Sequence, residues 1–326
     1  MADAIARRTA ADQTATGWSM NTLERYRGAL LGLAAGDALG TTLEFCPPGS
    51  FTPIDDMVGG GPFDLRPGEW TDDTSMALCL AESLVERRGL DAGDQMQRYV
   101  RWWRDGYLSS TGRCFDIGNT VAAALRRFEQ SGDPFSGATD PHSAGNGALM
   151  RLAPAALAFA ADPRGAVQWC GESSRTTHGV RDSVDACRYF GALLVGAIQG
   201  RSKAALLDGC FEPAAGCWLA APLSPPIAAI AQGSFLTREP PQIRGTGHVV
   251  RSLEAALWAF HRTQSFRDGA LLAVNLGDDA DTTGAIYGQL AGAFHGESGI
   301  PALWRQRLAQ RERIVELADA LLALAG

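Results

Sequence analysis

Gly277-Asp278-Asp279-Ala280-Asp281-Thr282-Thr283-Gly284, which follows Asn275 and leads into an apolar run at 285–295, is the stretch on which the reading of this chain turns. Three carboxylates within four positions repel one another, and crowding them against a buried apolar segment costs stability unless something positive neutralises them. A helix N-terminus can do this, since its dipole favours acids and its free amides are capped by Thr and Asp. A metal ion can do it too. Taken alone, the stretch reads as a helix cap. A second copy changes the balance: Trp70-Thr71-Asp72-Asp73-Thr74 opens another apolar helical run, 75–88, about two hundred positions upstream. Two Thr/Asp clusters at two helix starts offer the oxygen-only ligand set that hard divalent cations such as Mg²⁺ or Mn²⁺ prefer. Neither has the alternating acids and closing Glu of a calcium loop.

The chain has 326 residues, of which 46% are hydrophobic and 20% charged, so it can bury a large core and reads as an ordinary globular protein. A net charge of −7 and the lack of any Lys/Arg run argue against nucleic acid or an anionic membrane as the main partner. Seven cysteines (Cys46, Cys79, Cys114, Cys170, Cys187, Cys210, Cys217) show no CxxC spacing, which suggests reduced thiols in a cytoplasm. Arg7-Arg8 has no apolar segment behind it, so no signal peptide is expected, and the longest apolar run, 190–198, is far short of a membrane span. The expected location is cytoplasmic.

Residues 1–20 are polar and without periodicity and are expected to form a loose tail, with one domain over 21–326. A helix is expected from Leu23 to about Leu39. Gly28, Gly32 and Gly36 recur on one of its faces, where another backbone can approach closely. Asp37 stands at the wrong end of that helix for its dipole and therefore needs a specific hydrogen-bond partner, a structural role. Glu44 opens a Pro/Gly-rich loop over 46–69, and a loop of that length reads as a lid over a site. Further helices are expected at 75–88, 94–104, 121–128, 182–200, 249–262 and up to about Leu324, with a Pro/Gly-rich loop at 222–247. Asp116 and Asn119 lie in a turn before a helix and can be caps. Gly145-Asn146-Gly147 is a turn whose glycine-freed amides can hold a phosphate at a helix start, though such turns are common without one. His178 can be a cap residue, and the other histidines share no metal-ligand spacing. Alternating strand patterns are nearly absent. The fold class read from these patterns is all-α: a single compact multi-helix domain around a Gly/Ala-rich centre, with the acidic helix starts meeting at one end.

Four of these runs, Gly36-Asp37-Ala38-Leu39-Gly40 with Glu44, Trp70 to Thr74, Gly145 to Arg151 and Asp279 to Gly284, occur in the order and spacing of a known family. From about Leu23 to Leu324 the chain resembles the ADP-ribosylglycohydrolase family, whose bacterial type member is the dinitrogenase reductase-activating glycohydrolase. The resemblance implies an all-α fold with two divalent cations, Mg²⁺ or Mn²⁺, at the base of an ADP-ribose cleft. It implies Thr71, Asp72, Asp73, Asp279, Asp281 and Thr282 as metal ligands, and Glu44 as the flap glutamate beside them. Asp116 resembles the acid near the scissile bond; with Glu44 and Asp281 it completes the catalytic set. Ser143, Gly145, Asn146 and Gly147 are implied at the ribose and diphosphate, His178 at the cleft wall and His248 at the adenosine end. At that last position close bacterial relatives usually carry Tyr in a Gly-Tyr-Val-Val run, where this chain has Gly247-His248-Val249-Val250.

Cleaving ADP-ribose from a side chain passes through an oxocarbenium-like state, which requires an oriented ribose, a delivered water and a carboxylate to steer that water or protonate the leaving group. The expected substrate is an ADP-ribosylated protein, the linkage arginine and the product ADP-ribose. Serine-linked ADP-ribose or a small ADP-ribosyl metabolite is the alternative within the class. A binding or immunity protein against an ADP-ribosylating toxin is the alternative from another class, and a generic two-metal phosphatase a weaker third. Oligomeric state is open.

Overall fold

Two stripes of glycine, one on each of two antiparallel helices, form the centre of the fold. The computed structural model describes residues 20–326, and among them no strand forms. Fifteen α-helices follow in order: α1 (Met20–Gly40), α2 (Asp72–Arg87), α3 (Ala92–Asp105), α4 (Asn119–Ser131), α5 (Ala153–Ala158), α6 (Pro163–Arg175), α7 (Arg181–Ile198), α8 (Lys203–Leu207), α9 (Cys217–Ala220), α10 (Pro225–Ala231), α11 (Val249–Arg262), α12 (Phe266–Val274), α13 (Ala280–His295), α14 (Ala302–Arg307) and α15 (Arg311–Ala325). The expected all-α class and single domain are what the structure shows. The expected tail lies outside the described residues except for Met20, which opens α1.

The glycine face of α1 meets a matching face on α13. A β-carbon on Gly28 would lie 2.2 Å from Gly292 O, one on Gly32 2.2 Å from Gly288 O, and one on Gly36 1.9 Å from Gly284 O. Read from the other helix, β-carbons on Gly284, Gly288 and Gly292 would strike the carbonyls of Gly36, Gly32 and Gly28 at 2.3, 1.9 and 1.9 Å. The backbones therefore touch along the whole seam, with no side chain able to intervene. The sequence reading placed the first stripe; the partner stripe, also spaced by four, it did not single out. At the far end Arg25 donates from Nη1 to the carbonyls of Ala293 and Phe294 at 3.0 and 2.8 Å and to Ala197 O of α7 at 3.0 Å, satisfying the ends of two helices at once. On α13 the buried Gln289 binds the loop before α5: its Nε2 donates to Met150 O at 2.6 Å and its Oε1 accepts from Ala153 N at 2.7 Å.

The remaining helices wrap this pair. α15 packs on α1 and α2, while α7, α11 and α12 cover the other side of α13. Met76, Leu80 and Leu84 of α2, and Ile314, Leu317 and Leu321 of α15, are buried as their spacing requires. Two loop expectations change. The stretch read as a loop at 222–247 contains α10 and a 3₁₀ turn, Ser234–Leu236; Pro225 and Pro226 at the first positions of α10 pre-set its φ and need no amide partner. The loop at 46–69, read as a lid, is fastened to the body. Asn275 exchanges two 2.9 Å hydrogen bonds with Ile54, Asp56 accepts from Trp304 and Arg307, and Met57 and Leu65 are buried.

Candidate metal centre and cleft

The seam delivers the acids. Asp37, in the last turn of α1, is fully buried, and its two oxygens accept four hydrogen bonds from the start of α2: Thr71 N and Oγ1 at 2.9 and 3.0 Å, Thr74 N and Oγ1 at 3.0 and 2.6 Å. A carboxylate from another helix thus caps α2. Thr71, the N-cap residue, makes no cap bond of its own, so Asp72 and Asp73 are released from the duty that the cap reading gave them. The same holds on α13, whose N-cap Asp279 makes no side-chain cap bond and instead accepts from Asn146 Nδ2 at 2.6 Å.

The two clusters interlock across the seam. Thr71 Oγ1 lies 3.2 Å from Asp281 Oδ2 and 3.4 Å from Asp73 Oδ2, and Thr282 Oγ1 lies 3.4 Å from the same Asp73 oxygen. Glu44 and Asp116, which come from two loops, join Asp281, with ligand oxygens from all three within 4.8 Å of one another. Burial pushes these carboxyls up: Asp116 to about 7 and Glu44 to about 10, the latter also through the facing Asp116. Asp72, Asp73 and Asp281 stand well above the ordinary range, first through burial and then through neighbouring carboxylates, led by Asp116, Asp37 and Glu44 respectively, and Asp279 is raised by burial as well. Asp73 Oδ1 and Glu44 Oε2 are buried with no hydrogen-bond partner. Buried carboxylate oxygens without donors, crowded and with no cation beside them, fit an oxygen-seeking divalent cation.

Above the acids opens a cleft of about 450 Å³, a size suited to a nucleotide-sized ligand. Its lining brings together Glu44, Asp72, Asp116, Gly145, Asn146, Gly147, His178, Asp279, Asp281 and Thr282, and contains no Lys or Arg. Thr71 and Asp73 sit beneath that lining. Gly118 and Asn119 place the N-terminus of α4 in the wall. The turn at 145–147 is held from three sides: Ser183 Oγ donates to Gly145 O at 3.0 Å, Arg151 Nη1 to Gly147 O at 2.8 Å, and Asn146 N to Gly247 O at 3.2 Å. Behind it stands His178, so close that a β-carbon on Gly147 would lie 2.8 Å from the ring.

His178 is 2% exposed, and burial with the nearby Arg151 lowers it to about 3, so it is neutral at physiological pH. Thr177 Oγ1 accepts from Arg151 Nη2 at 2.8 Å and lies 2.9 Å from His178 Nδ1. With the Thr177 hydroxyl donating to Nδ1, the imidazole proton sits on Nε2, toward Gly145. Ser143 ends a short 3₁₀ turn outside the cleft lining. His248 lies next to the lining residue Gly247, but its Nδ1 caps its own helix at Val250 N (3.3 Å) and its ring lines a neighbouring hollow with Arg238 and Arg251. Arg151, the last residue of the Gly145 to Arg151 run, is a functional residue that the sequence pattern leaves without a role. Its spacing of four from Gly147, which puts a side chain back on that carbonyl, is the signal that could have found it.

Comparison with known proteins gives a consistent result. The family model described as ADP-ribosylglycohydrolase matches residues 19–326. The chain is 44% identical over 304 residues to the ADP-ribosylarginine hydrolase Tri1 of Serratia proteamaculans, covering 93% of this chain and 80% of that one. It is 36% identical over 312 residues to the ADP-ribosyl-[dinitrogen reductase] glycohydrolase of Rhodospirillum rubrum, covering 93% and 97%. Among solved structures, one described as an ADP-ribosylglycohydrolase-related protein complex superposes with a TM-score of 0.83 at 44% identity, covering 94% of this chain and all of that one.

Proposed function

Because this chain belongs to the ADP-ribosylglycohydrolase family, we propose that it hydrolyses the N-glycosidic bond joining ADP-ribose to an arginine side chain of a modified protein, with divalent cations held at the base of the cleft. The observation that carries the reading is the buried oxygen-only cluster, with Asp73 Oδ1 and Glu44 Oε2 partnerless, under a cleft walled by a glycine turn. The names of the relatives at 44–45% identity support arginine as the linkage.

In this reading Thr71, Asp72, Asp73, Asp279, Asp281 and Thr282 hold two ions, Mg²⁺ or Mn²⁺. When bound, the ions supply positive charge and Lewis acidity to sugar and water oxygens. The chain's own residues do the rest. The Gly147 amide and the N-terminus of α4 are the donors left for the diphosphate, since the amides of Gly145 and Asn146 are bonded to Ser143 O and Gly247 O. Ser143 and His248, the other two residues proposed for substrate, flank these donors from outside the cleft lining, and His178 offers its Nε2 proton to the ligand. Glu44 and Asp116, two carboxyls that hold protons with different strength, divide the acid and base tasks: one protonates the leaving nitrogen, the other takes the proton of the attacking water. No helix among the described residues is long and apolar enough to cross a membrane, in keeping with a cytoplasmic site of action.

The test is release of ADP-ribose from an arginine-ADP-ribosylated protein, with EDTA and then with Mg²⁺ or Mn²⁺ restored. Release that is lost on chelation and recovered with metal is expected. Release that persists after exhaustive chelation would overturn the metal reading, and no release with either ion would overturn the arginine reading.

A further inference from the structure

On the rim of the cleft three phenylalanines run from solvent toward the acids. Phe45, directly after Glu44, lines the cleft and is 65% exposed. Its ring meets Phe63 nearly edge-on at 6.5 Å, and Phe63 lies 5.1 Å from Phe115, the residue before Asp116. The exposure of Phe45 is enforced by its backbone. Its φ is +60°, a conformation strained for a bulky side chain, and its N–H donates to Asp278 O at 2.7 Å. Asp278, also at φ +60°, donates back to Cys46 O at 2.7 Å. The ring is thus fixed beside the acidic motif in a strained backbone, with its apolar area left in water, and both features cost stability.

The chemistry of the cleft says what would offset that cost. Glu44, Asp116 and Asp281 gather at one place in its lining, so a cation is the group favoured beside these carboxyls; Phe45 directly follows Glu44 and connects through Phe63 to Phe115, the residue before Asp116. An ADP-ribosylated guanidinium is a planar cation, the group that stacks on an aromatic face while pairing with carboxylates. We propose that Phe45, backed by Phe63 and Phe115, is the platform on which the arginine side chain of the modified target stacks, and that it sets the preference for arginine over neutral leaving groups. This inference rests on the arginine reading above.

The test uses the full chain with its metal. Phe45→Ala is compared with wild type for kcat and KM on an ADP-ribosylarginine peptide, for the Kd of ADP-ribose, which lacks the guanidinium, and for mass in solution. The platform predicts a rise of about tenfold in KM with ADP-ribose binding unchanged, and recovery in Phe45→Trp, the better cation–π face. An unchanged KM overturns the platform, whether or not the variant changes the oligomeric state. Equal losses of ADP-ribose and peptide binding also overturn it, by making Phe45 a nucleotide contact. If wild type releases nothing from the peptide, the arginine reading falls and this inference with it; release with an unchanged KM in Phe45→Ala sinks the inference alone.

Discussion

Replacing Gly36 by Ala tests the glycine seam and its hold on the site together. The new β-carbon would lie 1.9 Å from Gly284 O, 2.4 Å from Gly284 C and 3.0 Å from Ala285 N, all backbone atoms that no rotamer change can clear. A carbon–oxygen contact relaxes to roughly 3.3 Å, so the helices must part locally by more than about 1 Å. Intrinsic helix propensity pulls the other way, favouring Ala by about 0.5–1 kcal/mol. Overpacking that moves backbone costs about 3 kcal/mol, so a net loss of about 2 kcal/mol is expected. In a chain of this size that lowers the unfolding midpoint by roughly 3 °C. The effect on turnover is larger. Gly36 precedes Asp37, and Gly284 lies two residues beyond Thr282, so parting the helices stretches the 3.2 Å Thr71–Asp281 and 3.4 Å Thr282–Asp73 contacts. A displacement of this size at a reacting centre can cost on the order of a hundredfold. Thermal unfolding and ADP-ribose release are measured side by side with Gly93→Ala, whose β-carbon would meet only the Asp91 side chain at 3.3 Å and which is expected to be neutral or slightly stabilising. A Gly36→Ala protein with wild-type midpoint and wild-type release would refute the argument.

Two further outcomes follow from the site. In chelated protein, Glu44 is held up to about 10, above its unfolded value, so the stability it contributes is present at acid pH and is lost as pH rises toward 10. His178 and His295 titrate near 3 and 4 in the fold and add no slope at neutral pH and above. The unfolding midpoint with EDTA should therefore fall between pH 7 and 9, at a limiting slope of about 1.4 kcal/mol per pH unit per proton, and flatten with saturating divalent cation; a midpoint that rises over this range would contradict the assignment. Asp37→Asn keeps the shape but turns one amide donor toward Thr71 N or Thr74 N, leaving a buried N–H unpaired at a cost of about 2 kcal/mol. Calorimetric titration with Mn²⁺ should show weakened binding in that variant, and unchanged affinity would show that the borrowed cap does not position the ligands.

How far the sequence could be read depends on what each residue answers to. α11 falls at 249–262 as its apolar spacing requires, because one face of that helix packs on a continuous core. α13 starts at Ala280, ahead of the apolar run at 285, because Asp281 and Thr282 lie inside its first turn and are buried there despite being polar. Asp37 was legible as a residue in need of a partner, but the partner is set by the crossing of α1 and α2, which no local pattern encodes. For His178, a cap and a buried wall residue look alike in sequence; the turn at 145–147 closing over the ring decides between them. Phe45 gave no signal at all, since an exposed aromatic beside an acid differs from a core one only in three dimensions.

A seam of like residues spaced by four has a hidden ambiguity of register. Sliding α13 along α1 by four residues would set Gly284 against Gly32 in place of Gly36 and still match glycine with glycine, while carrying Asp281 about 6 Å from Thr71. The ends of the pair remove that freedom. At one end Gly40 is seated against Ala280 and Asp281; at the other, three residues before Gly28, Arg25 finds the carbonyls of Ala293 and Phe294 only in the native alignment. Arg25 works as the stop on a vernier. The alignment of the acids is indexed from the opposite end of the molecule, and the characteristic failure of such a fold is a helix pair that is intact but one turn out of step.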